Sequence, residues 1–370
     1  MSKPLRVLCD SSLAFNPAGT GTYVRGVLGA LKARDDVEIV ETTFQSASAA
    51  TVDLARKSPL TRLTNGVNHL AYYLRALPRR AKALGCDVIF CPSGLVPLSA
   101  RIPYVMTVYD LTPLRYSSTQ NWLSRWYLTS MLRWGIPRAA RICTISRAVG
   151  DEVVERFRVP RDRIVVTYPG PNPGLQHAEP VPAPIPERPF VLMVGTVEPR
   201  KNHLTVLHAL AAHLQDRPGS DLILVTAGSA GWRYQPVLRA VDELGLRDRV
   251  VRLGAVEPGV LKWLYQHARA LLFPSLYEGF GLPVLEALLQ RCPVVAARIP
   301  SVAEITGEDS ATLLEPTDVV AWAAALDQLV DRQADLTTLA AGLERAGRFT
   351  WEGCAASAVR AIRSVAEAAS

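Results

Sequence analysis

Glu278-Gly279-Phe280-Gly281-Leu282-Pro283-Val284-Leu285-Glu286-Ala287-Leu288 follows closely on an apolar run at 270–274. That run reads as a strand end. From Pro283 onward the spacing of Val284, Leu285, Ala287, Leu288 and Leu289 turns helical, with Pro283 suited to the first helical position. A strand, a glycine loop and a helix N-terminus in this order make an anion site. Small residues let a ligand approach the backbone, and the unpaired N–H groups and helix dipole favour a phosphate. Yet Glu278 and Glu286 flank that site. Carboxylates repel phosphate and accept hydrogen bonds from hydroxyls, and a ligand that offers both groups is a nucleotide sugar. The plainer reading, a glutamate as dipole partner and glycines as loop residues, explains each part singly but not the paired spacing.

Short β-rich runs alternate with helical stretches on both sides of this segment. Strands are expected at 6–9, 37–43, 87–91, 104–109, 142–145 and 164–167, with helices at 22–33, 66–84, 121–139 and 147–157. The pattern restarts with strands at 190–194, 221–226, 250–253, 270–273 and 293–296, separated by helices near 202–215, 234–244, 258–268 and 283–291. Such alternation predicts an α/β chain of two domains with mainly parallel sheets, which its 370 residues can support. Residues 1–170 form the first domain and 190–351 the second. Between them, 171–189 is dense in proline and reads as a stiff linker. The stretch 352–370 is helical.

The six cysteines are scattered, without metal-ligand spacing, and read as buried reduced thiols of a cytosolic protein. No secretory signal opens the chain, and no apolar run nears the roughly 20 residues of a spanning helix. The net charge of +7 is uneven: residues 1–185 hold 23 Lys and Arg against 13 Asp and Glu. Arg56, Lys57, Arg62, Arg75, Arg79, Arg80 and Lys82 fall in the acid-free stretch 54–86. Arg115, Arg125, Arg133, Arg138, Arg141 and Arg147 fall in another, 111–150, among Trp122, Trp126, Tyr127 and Trp134. Basic residues among aromatics suit an anionic membrane surface. A solvated basic face is the alternative, and no nucleic-acid motif accompanies the charge.

Other glycine loops follow expected strands. Gly19 and Gly21, in the run from Asn16 to Tyr23, would allow close backbone approach to a ligand. Gly195 begins the stretch to His203, which contains Glu198-Pro199-Arg200-Lys201-Asn202. The adjacent cations Arg200 and Lys201 suit the charge of a departing diphosphate. Ala227-Gly228-Ser229 and Leu253-Gly254-Ala255-Val256 follow two further strands. No Asp-x-Asp triplet, metal-type histidine cluster or Gly-x-Ser-x-Gly elbow occurs, nor an evident carboxylate nucleophile.

The segment 278–288 resembles the E-x7-E signature of retaining glycosyltransferases of family 4, and 198–202 is similar to the family's E-P-x-K-N segment. The resemblance runs through essentially the whole chain and is strongest over 190–320. It implies a GT-B architecture: two facing Rossmann-like domains with an interdomain cleft, the donor bound mainly by the second, and a last helix crossing back to the first. It implies that Gly19 and Gly21 lie against the donor phosphate and sugar. Gly195, Gly228, Ser229, Leu253 and Gly254 would touch the donor nucleotide. Glu286 would accept from ribose hydroxyls and Glu278 from the sugar, while Gly279, Phe280 and Gly281 offer backbone N–H groups. Arg200 and Lys201 would stabilise the leaving diphosphate. Val108-Tyr109-Asp110-Leu111-Thr112-Pro113 looks like the family's V-H-D-L-x-P segment, with Tyr109 in the place of a histidine that supports the reacting centre. Tyrosine, with an unperturbed pKa of roughly 10, is no ready base at neutral pH. Asp110 would orient the acceptor hydroxyl.

The expectation is a cytoplasmic enzyme, peripheral on the inner membrane face, with no cofactor and no metal. It would move a hexose from a nucleotide-diphosphate sugar, with GDP-mannose or a GDP-deoxyhexose preferred. The acceptor would be a lipid-linked or saccharide hydroxyl in surface polysaccharide assembly. A soluble small-molecule acceptor and an inactive nucleotide-sugar-binding subunit are the alternatives.

Overall fold

A computed structural model describes residues 5–16, 18–44, 68–69, 71–97, 102–115, 122–331 and 335–369. The chain divides into two compact units, Met1–Gly170 with Thr350–Ser370, and Pro171–Phe349.

In the first unit six short strands form one parallel sheet: β1 (Leu5–Asp10), β2 (Val37–Thr42), β3 (Val88–Cys91), β4 (Tyr104–Val108), β5 (Arg141–Thr144) and β6 (Ile164–Val166). Their order is β2-β1-β3-β4-β5-β6. β3 and β4 are buried along their whole length, as the continuous apolar runs of a sheet covered on both faces require. The helix expected over 66–84 is broken in character, with residues 66, 67 and 70 outside the described residues. A π turn at Tyr72–Ala76 precedes an α-helix at Leu77–Ala83 with proline in its first turn. Pro78 has no N–H to offer the carbonyl four residues back, and its ring crowds that carbonyl, so the preceding turn widens.

The second unit repeats the plan with β7 (Phe190–Val194), β8 (Ile223–Ala227), β9 (Val250–Gly254), β10 (Leu271–Phe273), β11 (Val294–Ala297) and β12 (Thr312–Leu314), again all parallel. The order is β12-β11-β10-β7-β8-β9. The chain runs outward from β7 to β9, then returns to lay β10 on the other side of β7. The loops leaving β7 and β10 therefore part in opposite directions at one sheet edge, the switch point where open α/β sheets form their crevice.

Neither β12 nor the helices Val319–Asp331 and Leu336–Ala346 carry an expectation from sequence; β12 lies at the end of the strand order. The proline-rich stretch read as a linker clusters with the second unit. It includes the helix Pro173–His177, capped by Asn172. Lys262 donates to the Ala178 carbonyl at 2.8 Å and Val181 N–H to Gly259 O at 3.0 Å, tying the stretch to the helix Pro258–His267. Proline forbids a ladder here but not side-chain and isolated backbone anchors.

The helix Trp351–Ala369 lies in the first unit against the helix Gly19–Lys32. Trp351 meets Tyr23 edge-on at 5.9 Å, and Arg363 pairs with Asp36 at 2.9 Å. A Cβ on Gly26 would lie 2.2 Å from Trp351 Cε2. Gly26→Ala should therefore destabilise the protein by roughly 1–3 kcal/mol through overpacking, although alanine is the better helix former. Urea denaturation measures this, and an unchanged or raised midpoint would contradict the close fit.

Candidate active site

The site grows from the loop after β7, which the loop after β8 holds in place. Val197 N–H donates to Ser229 O at 2.9 Å and Gly231 N–H to Val197 O at 3.1 Å, while Gly228 N–H donates to Gly254 O at 2.7 Å. Gly195 and Gly228 have φ of +133° and +155°. A Cβ on Gly228 would sit 2.0 Å from the Gly195 carbonyl oxygen, so only glycine lets these two backbones meet. Gly195, Gly228, Ser229, Leu253 and Gly254 thus come together at the carboxyl edge of β7, β8 and β9.

Asn202 joins this edge to the loop after β10. It adopts a left-handed φ of 55°, which asparagine tolerates. Its amide donates to Pro274 O at 3.1 Å and Pro316 O at 2.6 Å, and its Oδ1 accepts from Thr205 at 3.0 Å. Leu276 N–H donates to Arg200 O at 2.9 Å. The two loops are thereby sewn side by side across the switch point.

That seam brings Arg200, Lys201 and Glu278 into contact. Lys201 Nζ lies 2.6 Å from Glu278 Oε1, and Arg200 Nη1 lies 2.6 Å from Glu278 Oε2. Arg200 also donates to Glu198 Oε1 through Nε at 3.0 Å and Nη2 at 2.7 Å, and to Tyr277 O through Nη1 at 2.8 Å. Trp232 Nε1–H closes the chain on Glu198 Oε2 at 2.9 Å. Burial alone would raise the Glu278 pKa, but the charges of Lys201 and then Arg200 outweigh it and hold the carboxyl at about 2. Glu278 is therefore an anion with both oxygens engaged. The neighbouring His203 is pushed down to about 4, first by burial and then by the Lys201 charge; it remains neutral near pH 7.

Beyond Glu278, whose carbonyl accepts from Ser301 Oγ at 2.9 Å, Gly281 has φ +127° and precedes the helix Leu282–Leu289. The helix starts at Leu282, one residue earlier than expected, which puts Pro283 second. Gly279 is buried, and Phe280 is buried edge-on against Phe349 at 5.5 Å. The Phe280 ring is therefore taken up by packing, not presented at a surface. Glu286 points into a different environment from Glu278. It is 6 % exposed and accepts from Tyr265 Oη at 3.0 Å. Burial outweighs that bond and a backbone N–H bond from Asn172, and its pKa rises to about 7.

The first unit carries the other expected residues. Gly19 opens the helix Gly19–Lys32. Gly21 has no room for a Cβ, which would fall 1.9 Å from Asn16 O, so only glycine fits the turn that enters the helix. Tyr109 Oη donates to Pro92 O, its ring meets Tyr23 edge-on at 5.3 Å, and burial pushes its pKa well up. This tyrosine buttresses the loop after β3 and holds its phenolic proton firmly. Asp110 Oδ1 accepts from Thr112 N–H at 2.9 Å, starting the turn after β4.

Of the basic aromatic stretch, Trp126 and Trp134 are 67 % and 36 % exposed on the helix Trp122–Arg138, and the Arg138 guanidinium stacks 4.1 Å over Trp134. Tyr127 turns inward to His69 Nδ1 at 2.9 Å. Arg56, Lys57, Arg62 and the side chains of Trp122 and Arg125 lie outside the described residues. Among the described residues no group of His, Cys, Asp and Glu is placed to hold a metal, and no helix is long and apolar enough to cross a membrane. Sequence reasoning left Glu198, Trp232, Asn202 and Tyr265 without roles. Glu198 and Asn202 stand inside the E-P-x-K-N segment; Trp232 and Tyr265 gave no signal, because each acts across a fold contact.

The sequence pattern described as Glycosyltransferase Family 4 matches residues 17–174, and that described as Glycosyl transferases group 1 matches 178–347. The chain is 34 % identical over 247 residues to O-antigen chain mannosyltransferase B of Escherichia coli, covering 64 % of each protein, just under two thirds of that relative's length. It is 25 % identical over 326 residues to O-antigen chain mannosyltransferase RfbU of Salmonella typhimurium, covering 84 % of this chain and 88 % of that one. In fold it is similar to sucrose-phosphate synthase from Thermosynechococcus elongatus, with a TM-score of 0.74 at 22 % identity over 99 % of this chain and 100 % of that one.

The two glutamates of the motif should titrate with opposite effects on stability. Glu286 has its folded pKa above the ordinary 4.5. The stability it contributes is full below that value and lost as pH rises through about 7, a loss of up to about 3 kcal/mol. Glu286→Gln should flatten the fall in urea-unfolding stability between about pH 5 and pH 8. A slope identical to that of the unmutated protein would refute the assignment.

Proposed function

The chain belongs to the GT-B glycosyltransferases of family 4, and on that premise we propose that it transfers a hexose from a nucleotide-diphosphate sugar to an acceptor hydroxyl. The acceptor is a lipid-linked or saccharide hydroxyl in surface polysaccharide synthesis, the anomeric configuration is retained, and no metal takes part. The observation that carries this reading is the meeting of Lys201 and Glu278 at the switch point of the second unit, 2.6 Å apart and beside glycine backbone. An ammonium there meets the negative charge that builds on a departing diphosphate, and a carboxylate kept ionised accepts from sugar hydroxyls. Glu286, buried under Tyr265, is the acceptor offered to ribose hydroxyls. In this scheme the acceptor oxygen bonds to C1 from the face on which the C1–O bond to the diphosphate breaks, and its proton passes to the departing diphosphate oxygen, so no protein nucleophile is needed.

GDP-mannose or a related GDP-deoxyhexose is the preferred donor, on the likeness to proteins named as O-antigen mannosyltransferases. A ligand that binds the native state raises its melting temperature. GDP-mannose should therefore raise Tm more than UDP-glucose or dTDP-sugars at equal concentration; a larger shift with UDP- or dTDP-sugars would reassign the donor, and no shift with any would count against the whole reading.

A membrane-held acceptor is supported by the exposed Trp126, Trp134 and Arg138, which recur every four or eight residues along one helix in a stretch without acids. Aromatic rings and guanidinium groups on one face suit the headgroup layer of anionic lipid. The full chain should co-sediment with phosphatidylglycerol-containing vesicles and less so after Trp126→Ala with Trp134→Ala. Absence of binding would favour a soluble acceptor.

A further inference from the structure

Arg200 and Lys201 are adjacent cations, yet the fold uses them differently. A guanidinium carries five N–H donors in a rigid plane. In Arg200 the Nε and Nη2 groups are committed to one oxygen of Glu198, at 3.0 and 2.7 Å. Nη1 is committed to the Tyr277 carbonyl at 2.8 Å and to Glu278 Oε2 at 2.6 Å. All three nitrogens thus face protein oxygens, two of them on the residues that carry and precede the Glu278 side chain. Lys201 has one hydrogen-bond partner among the described residues, Glu278 Oε1, out of the three donors an ammonium offers.

Glu198 is itself held. Its second oxygen accepts from Trp232 Nε1 at 2.9 Å. The backbone around Trp232 is pinned to the loop after β7 by the Val197–Ser229 and Gly231–Val197 bonds. A Cβ on Gly231 would lie 2.6 Å from Thr196 Cγ2 and 2.8 Å from Val197 O, so that the two loops leave no slack. A continuous path of polar contacts then runs Trp232–Glu198–Arg200–Glu278.

We propose that Arg200, oriented by Glu198 and Trp232, is a positioning residue for Glu278, and that Lys201 is the side chain that meets the diphosphate. The assignment rests on the donor reading above and divides a role that sequence assigned to both cations. Glu198 balances the Arg200 charge, so that the guanidinium orients Glu278 without itself drawing in the phosphates. Glu278 in turn keeps a fixed direction and a fixed ionisation for the sugar hydroxyls.

Calorimetric titration of GDP, UDP and dTDP into the full chain, with turnover measured alongside, tests this. Lys201→Met should weaken nucleoside-diphosphate affinity at least tenfold. Arg200→Met and Glu198→Gln should leave it within about threefold while lowering kcat more than tenfold. In Arg200→Met the acid limb of the pH–rate profile should move to higher pH, since Glu278 loses a cation that keeps it ionised. Arg200→Lys should not restore kcat, because one ammonium cannot span Glu198, Tyr277 O and Glu278 together. A loss of diphosphate affinity in Arg200→Met equal to that in Lys201→Met overturns the proposal. Should Arg200→Met not fold, Glu198→Gln decides: unchanged kcat overturns the proposal, and reduced kcat with retained affinity supports it. An unmutated chain that binds none of the three nucleotides removes the donor reading, and the proposal with it.

Discussion

The ion pairs that hold Glu278 between Arg200 and Lys201 join the loop after β7 to the loop after β10. The β7–β10 ladder sets the two strands side by side, but it ends before the loops, whose own contacts must hold them together. The seam is made by side chains and a few backbone bonds: Asn202 to two carbonyls, Leu276 N–H to Arg200 O, and the Glu278 cluster at its centre. With side chains 10–14 % exposed, these charges feel a medium less polar than water. Their mutual attraction is correspondingly strong, and loss of one partner would leave another charge buried and uncompensated. The charges balance within the cluster, Glu198 and Glu278 against Arg200 and Lys201, so that burial does not strand a net charge.

The glycines serve this seam by removing volume. Gly228 is required where its Cα faces the Gly195 carbonyl, and the consequence is a backbone ladder that continues past the ends of β7 and β8. That ladder carries Trp232 within reach of Glu198, whose partner Arg200 pairs with Glu278 on the loop after the neighbouring strand.

Glu278 and Glu286 belong to one short motif yet occupy opposite electrostatic settings. Cations overcome burial at Glu278 and keep it ionised far below neutral pH; at Glu286 neutral donors do not, and its pKa rises to about 7. Identical side chains thus differ in charge behaviour because one lies on a loop facing the Arg200–Lys201 turn and the other on a helix facing Tyr265. The spacing in sequence predicts that both are acids at one site; it does not carry the partners that divide their properties.

The amino-acid sequence by itself determined the alternating strands and helices of both units and the family. Each rests on local periodicity or on contiguous residues such as 278–288 and 198–202. It also singled out Arg200, Lys201 and Glu278, which the fold brings into contact. It left β12 and the helices Val319–Asp331 and Leu336–Ala346 unread, and it treated 171–189 as a linker, where Asn172, Ala178 and Val181 are anchored to the second unit. Only the tertiary structure decided that Tyr109 and Asp110 turn to backbone partners, that Asn202 ties two loops through carbonyls, and that Glu198, Trp232 and Tyr265 bond within the charged clusters. The physical reason is range. Helix and strand preferences act over a few residues, whereas a hydrogen bond or ion pair acts over a few ångströms between residues that the chain separates by tens of positions, as Arg200 and Glu278 are.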